Sequence, residues 1–440
     1  MYRNIIRSIS ILLALLLLGG CAAPKPAPVE DPTLPTLQPE GTEEAVSTES
    51  WAPVETEQTP TEPPTDETTE APSTEPAPTE PTPTEAPKTE EEQLWEEIAA
   101  MTLEEKVAQM IICTPEALTG ITGTATMAGE KTKAAFDALP VGGILYMGGN
   151  LQSPEQVKNL CWNMQQISLR RTDLPVFLCV DEEGGTVARI SGTGRFDVPA
   201  IANMSEIGAA GDPAQARAIG EQIGTYLSDL GFNVDFAPDA DVLTNEANTV
   251  VRYRSFGTDG ALVSEMACAL AEGLQSKGVL ATFKHFPGHG GTAEDSHEGF
   301  AVSYRTLDEL RQAELIPFRD AAINKIPFVM AGHITLPNVT DDGLPASLSH
   351  ELLTEILRGE LGFEGIIVTD ALSMGAIAQN YTPAQAAVLA VQAGNDMLLI
   401  SDNLQAYVDA IVEAVRSGEI PEQRIDESVY RIVKTKLAMQ

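Results

Sequence analysis

Cysteine is scarce and scattered in this chain. Five thiols, at positions 21, 113, 161, 179 and 268, share no CxxC spacing, which excludes zinc ribbons, redox dithiols and a disulfide-dense scaffold. Basic residues are also few: 27 Lys and Arg stand against 64 Asp and Glu, giving a net charge of −37 and a pI near 4.3. A phosphate backbone needs a basic footprint that this balance does not supply, so nucleic acid is excluded as a main partner. Long apolar runs are missing as well. The longest stretch near the start, Ile11 to Leu18, is too short to cross a bilayer as a stable helix. What the chain does have is 440 residues, 43% of them hydrophobic, enough for a large core.

The first 92 residues differ in kind from the rest. Residues 1–21 carry Arg3 and Arg7, the apolar run, and then Leu18-Gly19-Gly20-Cys21, which reads as a secretory signal. The Leu-Gly-Gly-Cys ending resembles the lipobox of bacterial lipoproteins, and that resemblance implies lipid attachment at Cys21. From Ala22 to Glu90 there are 16 of the 30 prolines, 16 acidic residues and two lysines. Proline interrupts helix and sheet ladders and like charges extend the chain, so residues 22–92 are expected to form a disordered Pro/Thr/Glu-rich tether with polyproline II character. Residues 91–440 retain a charge of −25. A polyanionic substrate is therefore disfavoured for the folded part.

Residues 93–440 alternate between two patterns. Short apolar, β-branched runs lie at 107–113, 143–146, 176–180, 233–236, 279–284, 327–330, 365–368 and 396–400. Between them are amphipathic segments with helix signals, such as Ser153-Pro154, Asp212-Pro213 closed by Gly231, Thr258 to Gly278, and Pro421 before the last one. Eight strand–helix alternations predict an α/β fold, a (β/α)₈ TIM-like barrel forming a single catalytic domain. A dinucleotide-binding sheet would need a GxGxxG after its first strand, and there is none.

A barrel of this kind places its chemistry at the carboxyl ends of its strands. Asp181-Glu182-Glu183-Gly184-Gly185 follows the third run, with Arg189 close behind. Lys284-His285-Phe286-Pro287-Gly288-His289 closes the fifth, ahead of Asp295-Ser296-His297. Gly332-His333 follows the sixth and Asp370-Ala371-Leu372 the seventh. Four of the five histidines thus follow strands. Several of these residues also have structural readings: His289 and His333 as hydrogen-bonded framework, Glu182 and Glu183 as acceptors that hold loops, and Asp396 as an acceptor for backbone amides. Asp370 is read as functional, because a carboxylate directly after an apolar run needs a polar cavity or partners. His285, His289, Asp295 and His297 suggest a metal site at first sight. The first strand, however, lacks the histidine pair that amidohydrolase-type barrels resemble, so no metal and no cofactor is expected.

The strings VDEEGG, RSFG, KHFPGHG, DSH and VTDALSMGA, in this order, resemble bacterial β-N-acetylhexosaminidases of glycoside hydrolase family 3 over roughly residues 95–440. The resemblance implies that Asp370 is the nucleophile, that Asp295 and His297 form an acid/base dyad, and that Asp181, Arg189, Arg254, Lys284 and His285 hold the sugar. Thr186 departs from the basic residue that many relatives carry after the paired glycines.

The chemistry of these residues agrees with that assignment. Retaining glycoside hydrolysis needs a carboxylate on one face of the sugar and a proton donor on the other. A histidine donor requires a partner, and Asp295, two residues from His297, can orient the ring and stabilise the imidazolium. Only 70 residues follow Asp370, which the last strand and helices of a barrel consume, so the donor is expected from the barrel itself. The expected substrate is a terminal β-linked N-acetylglucosamine from peptidoglycan fragments. The expected setting is a monomer, extracytoplasmic and lipid-anchored to the bacterial cell membrane. Alternatives are a β-glucosidase or broad β-glycosidase, a phosphorolytic variant, a metal-dependent barrel hydrolase, and a non-catalytic glycan-binding lipoprotein.

Overall fold

Eight short apolar segments lie side by side, each parallel to its neighbours: β1 (Ile111–Cys113), β2 (Gly143–Leu145), β3 (Phe177–Val180), β4 (Val234–Asp235), β5 (Leu280–Phe286), β6 (Phe328–Ala331), β7 (Ile366–Thr369) and β8 (Leu398–Ile400). The computed structural model describes residues 88–292 and 301–439. Cys21, the signal, nearly all of the tether, and Asp295 with His297 lie outside the described residues. Strand order follows chain order from β1 to β7, and β8 pairs with β1 through Ile111↔Leu398 and Cys113↔Ile400. The last seam, between β7 and β8, is joined by the Val368↔Met397 bridge and by hydrogen bonds from the Asp396 and Met397 amides to the Ile367 carbonyl at 2.8 and 3.0 Å. The sheet thus closes on itself, as the eight-fold alternation predicts.

Both faces of such a sheet are covered, which is why the strands read as continuous apolar runs rather than alternating ones. The helices form the outer layer: Pro154–Thr172 after β2, Pro213–Leu230 before β4, Gly260–Gln275 before β5, Pro383–Ala393 before β8, and Leu404–Arg416 after it. Ser153 and Asp212 open helices where the sequence reading places them, and the segment read from Thr258 starts one residue later, at Asp259. Ser153, Asp212, Asp259 and Thr382 each accept a backbone N–H of the first turn, and three of the four precede a proline at the first helical position. Another boundary differs. Val107 to Gln109 close the helix Leu103–Gln109 instead of opening β1, because Thr102 and Glu105 form a capping box that fixes the helical turn. A second capping box, Thr89 with Glu92, starts the helix Glu90–Ala100 just inside the stretch that composition assigns to the tether.

The amino-terminal mouth of the barrel is filled. The Phe177 and Phe328 rings, from the starts of β3 and β6, meet edge to face at 5.2 Å, and Lys436 of the terminal helix Glu422–Leu437 sits 5.0 Å over the Phe177 ring. Asp396, just ahead of β8, accepts from the Ile367 amide (2.9 Å) and Ser428 Oγ (2.7 Å) and pairs with Arg358 and Arg431. Its structural reading holds, and its ion pairs fasten the terminal helix across the closed end. That leaves the opposite, carboxyl end for chemistry.

Candidate active site

The loop after β3 turns back on itself. Gly184 and Gly185 have φ of 89° and 55°, a conformation that side chains with a Cβ rarely adopt, and the turn pairs Glu182–Gly184 antiparallel with Val187–Ala188. Successive strand residues face opposite sides, so the two glutamates part company. Glu182 accepts the Ile190 and Ser191 amides at 2.7 and 2.9 Å and the Tyr226 hydroxyl at 2.8 Å, which bears out its reading as a loop holder. Glu183 faces the other way, 2.6 Å from Lys284 Nζ and 2.8 Å from Arg254 Nε. The structural reading of Glu183 therefore fails. It is the shared counter-ion of two cations, and the two-residue period is the sequence signal that distinguishes it from its neighbour.

Lys284 lies near the end of β5, whose register against β6 shifts between Lys284 and Phe286. This irregularity lets Lys284 and His285, consecutive in sequence, both reach the same site. The Lys284–His285 peptide is cis, as are Ala237–Pro238 and Phe286–Pro287. Lys284 Nζ also lies 2.9 Å from Asp181 Oδ1, which links the β3 and β5 ends. Beyond Pro238 the β4 chain rejoins β5, with the Ala240 amide donating to the Lys284 carbonyl at 2.7 Å. That pairing brings two carboxylates that the sequence reading passed over into the site, Asp239 against Arg254 and Asp241 against His285. Arg254 Nε lies 3.3 Å from Asp239 Oδ2, and Arg254 Nη2 lies 3.3 Å from His285 Nε2. His285 Nδ1 stands 2.8 Å from Asp241 Oδ2.

The electrostatics follow from this packing. Burial opposes the charge on Glu183, but Arg254 and Lys284 overcome it and bring its pKa to about 2. Burial likewise opposes the charge on Lys284, and Asp181 and Glu183 more than restore it. Asp239 is pushed well above the usual carboxylate range by burial and by the charge of Asp241, whereas Asp241 is held low against its burial by His285 and His289.

Asp370 follows β7, half-buried, with its amide on the Ala331 carbonyl at 2.9 Å and its Oδ1 accepting the Ala371 amide at 2.7 Å. Burial would raise its pKa, but His333, His285, the Ala371 amide and Lys284 together hold it below the ordinary value. It is thus a carboxylate held in its ionised form at the strand end. His333, buried, contacts Ser347 Oγ at 2.7 Å and the Ala371 carbonyl at 3.0 Å. His289 donates its amide to Asp241 and contacts Thr292 Oγ1 through Nδ1 at 2.9 Å, with burial lowering its pKa. The framework reading of both histidines agrees with these bonds. The structure thus gathers Asp181, Arg254, Lys284, His285 and Asp370 at one end of the barrel. Arg189 has a buried Nε with no hydrogen-bond partner and makes no ion pair among the described residues. Thr186 is exposed.

Among the described residues one trio has metal-ligand character, since donor atoms of Asp239, Asp241 and His285 converge within 4.8 Å. It is not the set the sequence suggested. Asp241 binds the His285 ring and two backbone amides, while the Arg254 guanidinium faces Asp239 and His285.

The chain matches the model of the glycosyl hydrolase family 3 N terminal domain over residues 102–435. It is 31% identical over 321 residues to beta-hexosaminidase A of Pseudoalteromonas piscicida, covering 67% of this chain and 53% of that protein. It is 37% identical over 275 residues to beta-hexosaminidase LpqI of Mycobacterium tuberculosis, covering 60% of this chain and 68% of that one. Among solved structures, a glycoside hydrolase family 3 beta-N-acetylglucosaminidase from Paenibacillus sp. str. FPU-7 superposes with a TM-score of 0.71 at 38% identity, over 77% of this chain and 63% of that one. The chain thus spans about half the length of the first of these relatives and under two thirds of the solved structure.

Proposed function

The chain belongs to glycosyl hydrolase family 3, and from that membership we propose that it is a retaining exo-β-N-acetylglucosaminidase acting on terminal β-linked N-acetylglucosamine. The observation that carries the reading is Asp370, an ionised, half-buried carboxylate at a strand end beside the Lys284–Glu183–Arg254 network. In this reading Asp370 attacks the anomeric carbon and forms a covalent glycosyl intermediate, which water then resolves. Lys284 and Arg254, charged and oriented by Glu183, donate to the sugar hydroxyls, and Asp181 accepts from them. His285 and Arg189 complete the sugar-binding set. The proton passes to the leaving oxygen from His297, with Asp295 stabilising the imidazolium, and the same pair activates water in the second step. The relatives named beta-hexosaminidase and beta-N-acetylglucosaminidase support the substrate class.

The setting proposed for this activity is extracytoplasmic. Lipid on Cys21 would hold a monomer at the bacterial membrane through the 22–92 tether, within reach of peptidoglycan fragments.

Rates on a chromogenic β-N-acetylglucosaminide and on the matching β-glucoside, each with and without phosphate, test the reaction. A preference for the N-acetylglucosaminide that phosphate does not alter is the expected result. Preference for the glucoside would overturn the substrate, and acceleration by phosphate with release of a glycosyl phosphate would overturn hydrolysis.

A further inference from the structure

Asp241 is the junction between the two loops that deliver the cationic groups. Its carboxylate takes three donors: His285 Nδ1 at 2.8 Å on Oδ2, and the amides of His285 and His289 on Oδ1. Its carbonyl accepts Ser255 Oγ at 2.6 Å, beside Arg254. The Asp241 amide, in turn, donates to Asp239 Oδ1 at 3.0 Å. One fully buried residue thus grips the loop after β5 through its side chain and the Arg254 loop through its backbone.

The consequence concerns the histidine. An acceptor-only carboxylate oxygen on Nδ1 requires the proton there, which leaves the Nε2 lone pair to face Arg254 Nη2 at 3.3 Å. Arg254 is then fixed on two sides, by Glu183 through Nε and Nη2 and by His285 through Nη2.

We propose that Asp241 is a positioning residue: by fixing the Nδ1–H tautomer of His285 it sets the direction in which His285 and Arg254 present themselves to the sugar. The proposal rests on the sugar-binding roles proposed above for those two residues. Asn cannot replace this carboxylate. It offers one acceptor oxygen where donors converge from two directions, so either the ring or the two loop amides lose their acceptor. Misplacement of binding groups by about 1 Å is worth on the order of 10² in rate.

The test combines a spectrum with kinetics. In protein carrying ¹⁵N-labelled histidine, His285, assigned by its absence in His285→Gln, should show a protonated Nδ1 and an unprotonated Nε2. Asp241→Asn, with its fold checked by circular dichroism and thermal unfolding, should lose that signature and lose about 10²-fold in kcat/KM, chiefly through KM. Adding Asp241→Asn to His285→Gln should cost much less than it does alone, since the two act through one ring. A protonated Nε2 in the unmodified protein, unchanged kinetics in a folded Asp241→Asn, or strictly additive losses would overturn the proposal. Should Asp241→Asn fail to fold, the tautomer of the unmodified protein decides. The tautomer is read without turnover, so a protein inactive on the N-acetylglucosaminide would defeat the proposed function while still reporting on Asp241.

Discussion

Lys284 Nζ and Glu183 Oε1 stand 2.6 Å apart, with only 3% and 1% of the two side chains exposed. Among the described residues this is the most enclosed ion pair at the carboxyl end of the barrel, and Arg254 shares its carboxylate. Such an arrangement is stable only while it is complete. Removing one member leaves the other charge buried without its partner, which typically destabilises by about 3–5 kcal/mol. Glu183→Gln should therefore lower unfolding stability by about 3 kcal/mol or more in urea titrations and raise KM, since Lys284 and Arg254 lose their common anchor. A loss below about 1 kcal/mol would mean that Asp181 and Asp239 suffice as counter-ions.

Asp370→Asn should reduce turnover by roughly 10⁴ or more, the scale on which loss of a covalent nucleophile acts, while leaving the fold intact. A 2- or 5-fluoro glycosyl probe should label a peptide containing Asp370 in the unmodified enzyme. Labelling at another residue, or a product of inverted anomeric configuration, would reject the mechanism.

His297→Ala should slow substrates with poor leaving groups by about 10² to 10⁴ and activated aryl glycosides far less, because the latter need little protonation. Asp295→Asn should show the same pattern more weakly. A uniform loss across leaving groups with an unchanged pH profile would show that this segment only binds substrate.

Lys436 supplies a pH dependence of stability at the opposite end of the barrel. Burial lowers its pKa to about 7, and its ammonium has Gln109 Oε1 at 2.8 Å as an uncharged partner. The unfolded chain keeps that proton up to the ordinary lysine range, whereas the folded one releases it near pH 7. Above pH 7 the unfolded state therefore binds more protons, and stability should rise with pH by up to about 1.4 kcal/mol per unit from this group. Below pH 7 the full burden of the buried charge remains. Lys436→Met should flatten the difference between urea midpoints at pH 7 and pH 8.5, and parallel pH dependences in the two proteins would contradict the assignment.

Cys21→Ser should move the protein from the membrane to the soluble fraction when cells are fractionated. Unchanged membrane partition would rule out lipid attachment at that position.

The barrel was legible in the chain because its signals are local. Each strand is a short apolar run that needs cover on both faces, and Ser153 and Asp212 announce helices that give that cover. Asp370, Asp181, Lys284 and His285 were legible for a related reason, since polar residues that directly end such runs fall on one rim of a barrel. Glu183, Asp239 and Asp241 were not assigned to the site. Their roles depend on which way a two-residue strand step turns and on how the chain beyond Pro238 rejoins β5 at Lys284. Residues 183, 241, 254 and 284 become one charged network only when separate loops meet, because Coulomb and hydrogen-bond energies depend on distance in space. The sequence by itself thus determined the architecture and the rim that bears the polar cluster; tertiary contact alone decided which carboxylates there serve as counter-ions.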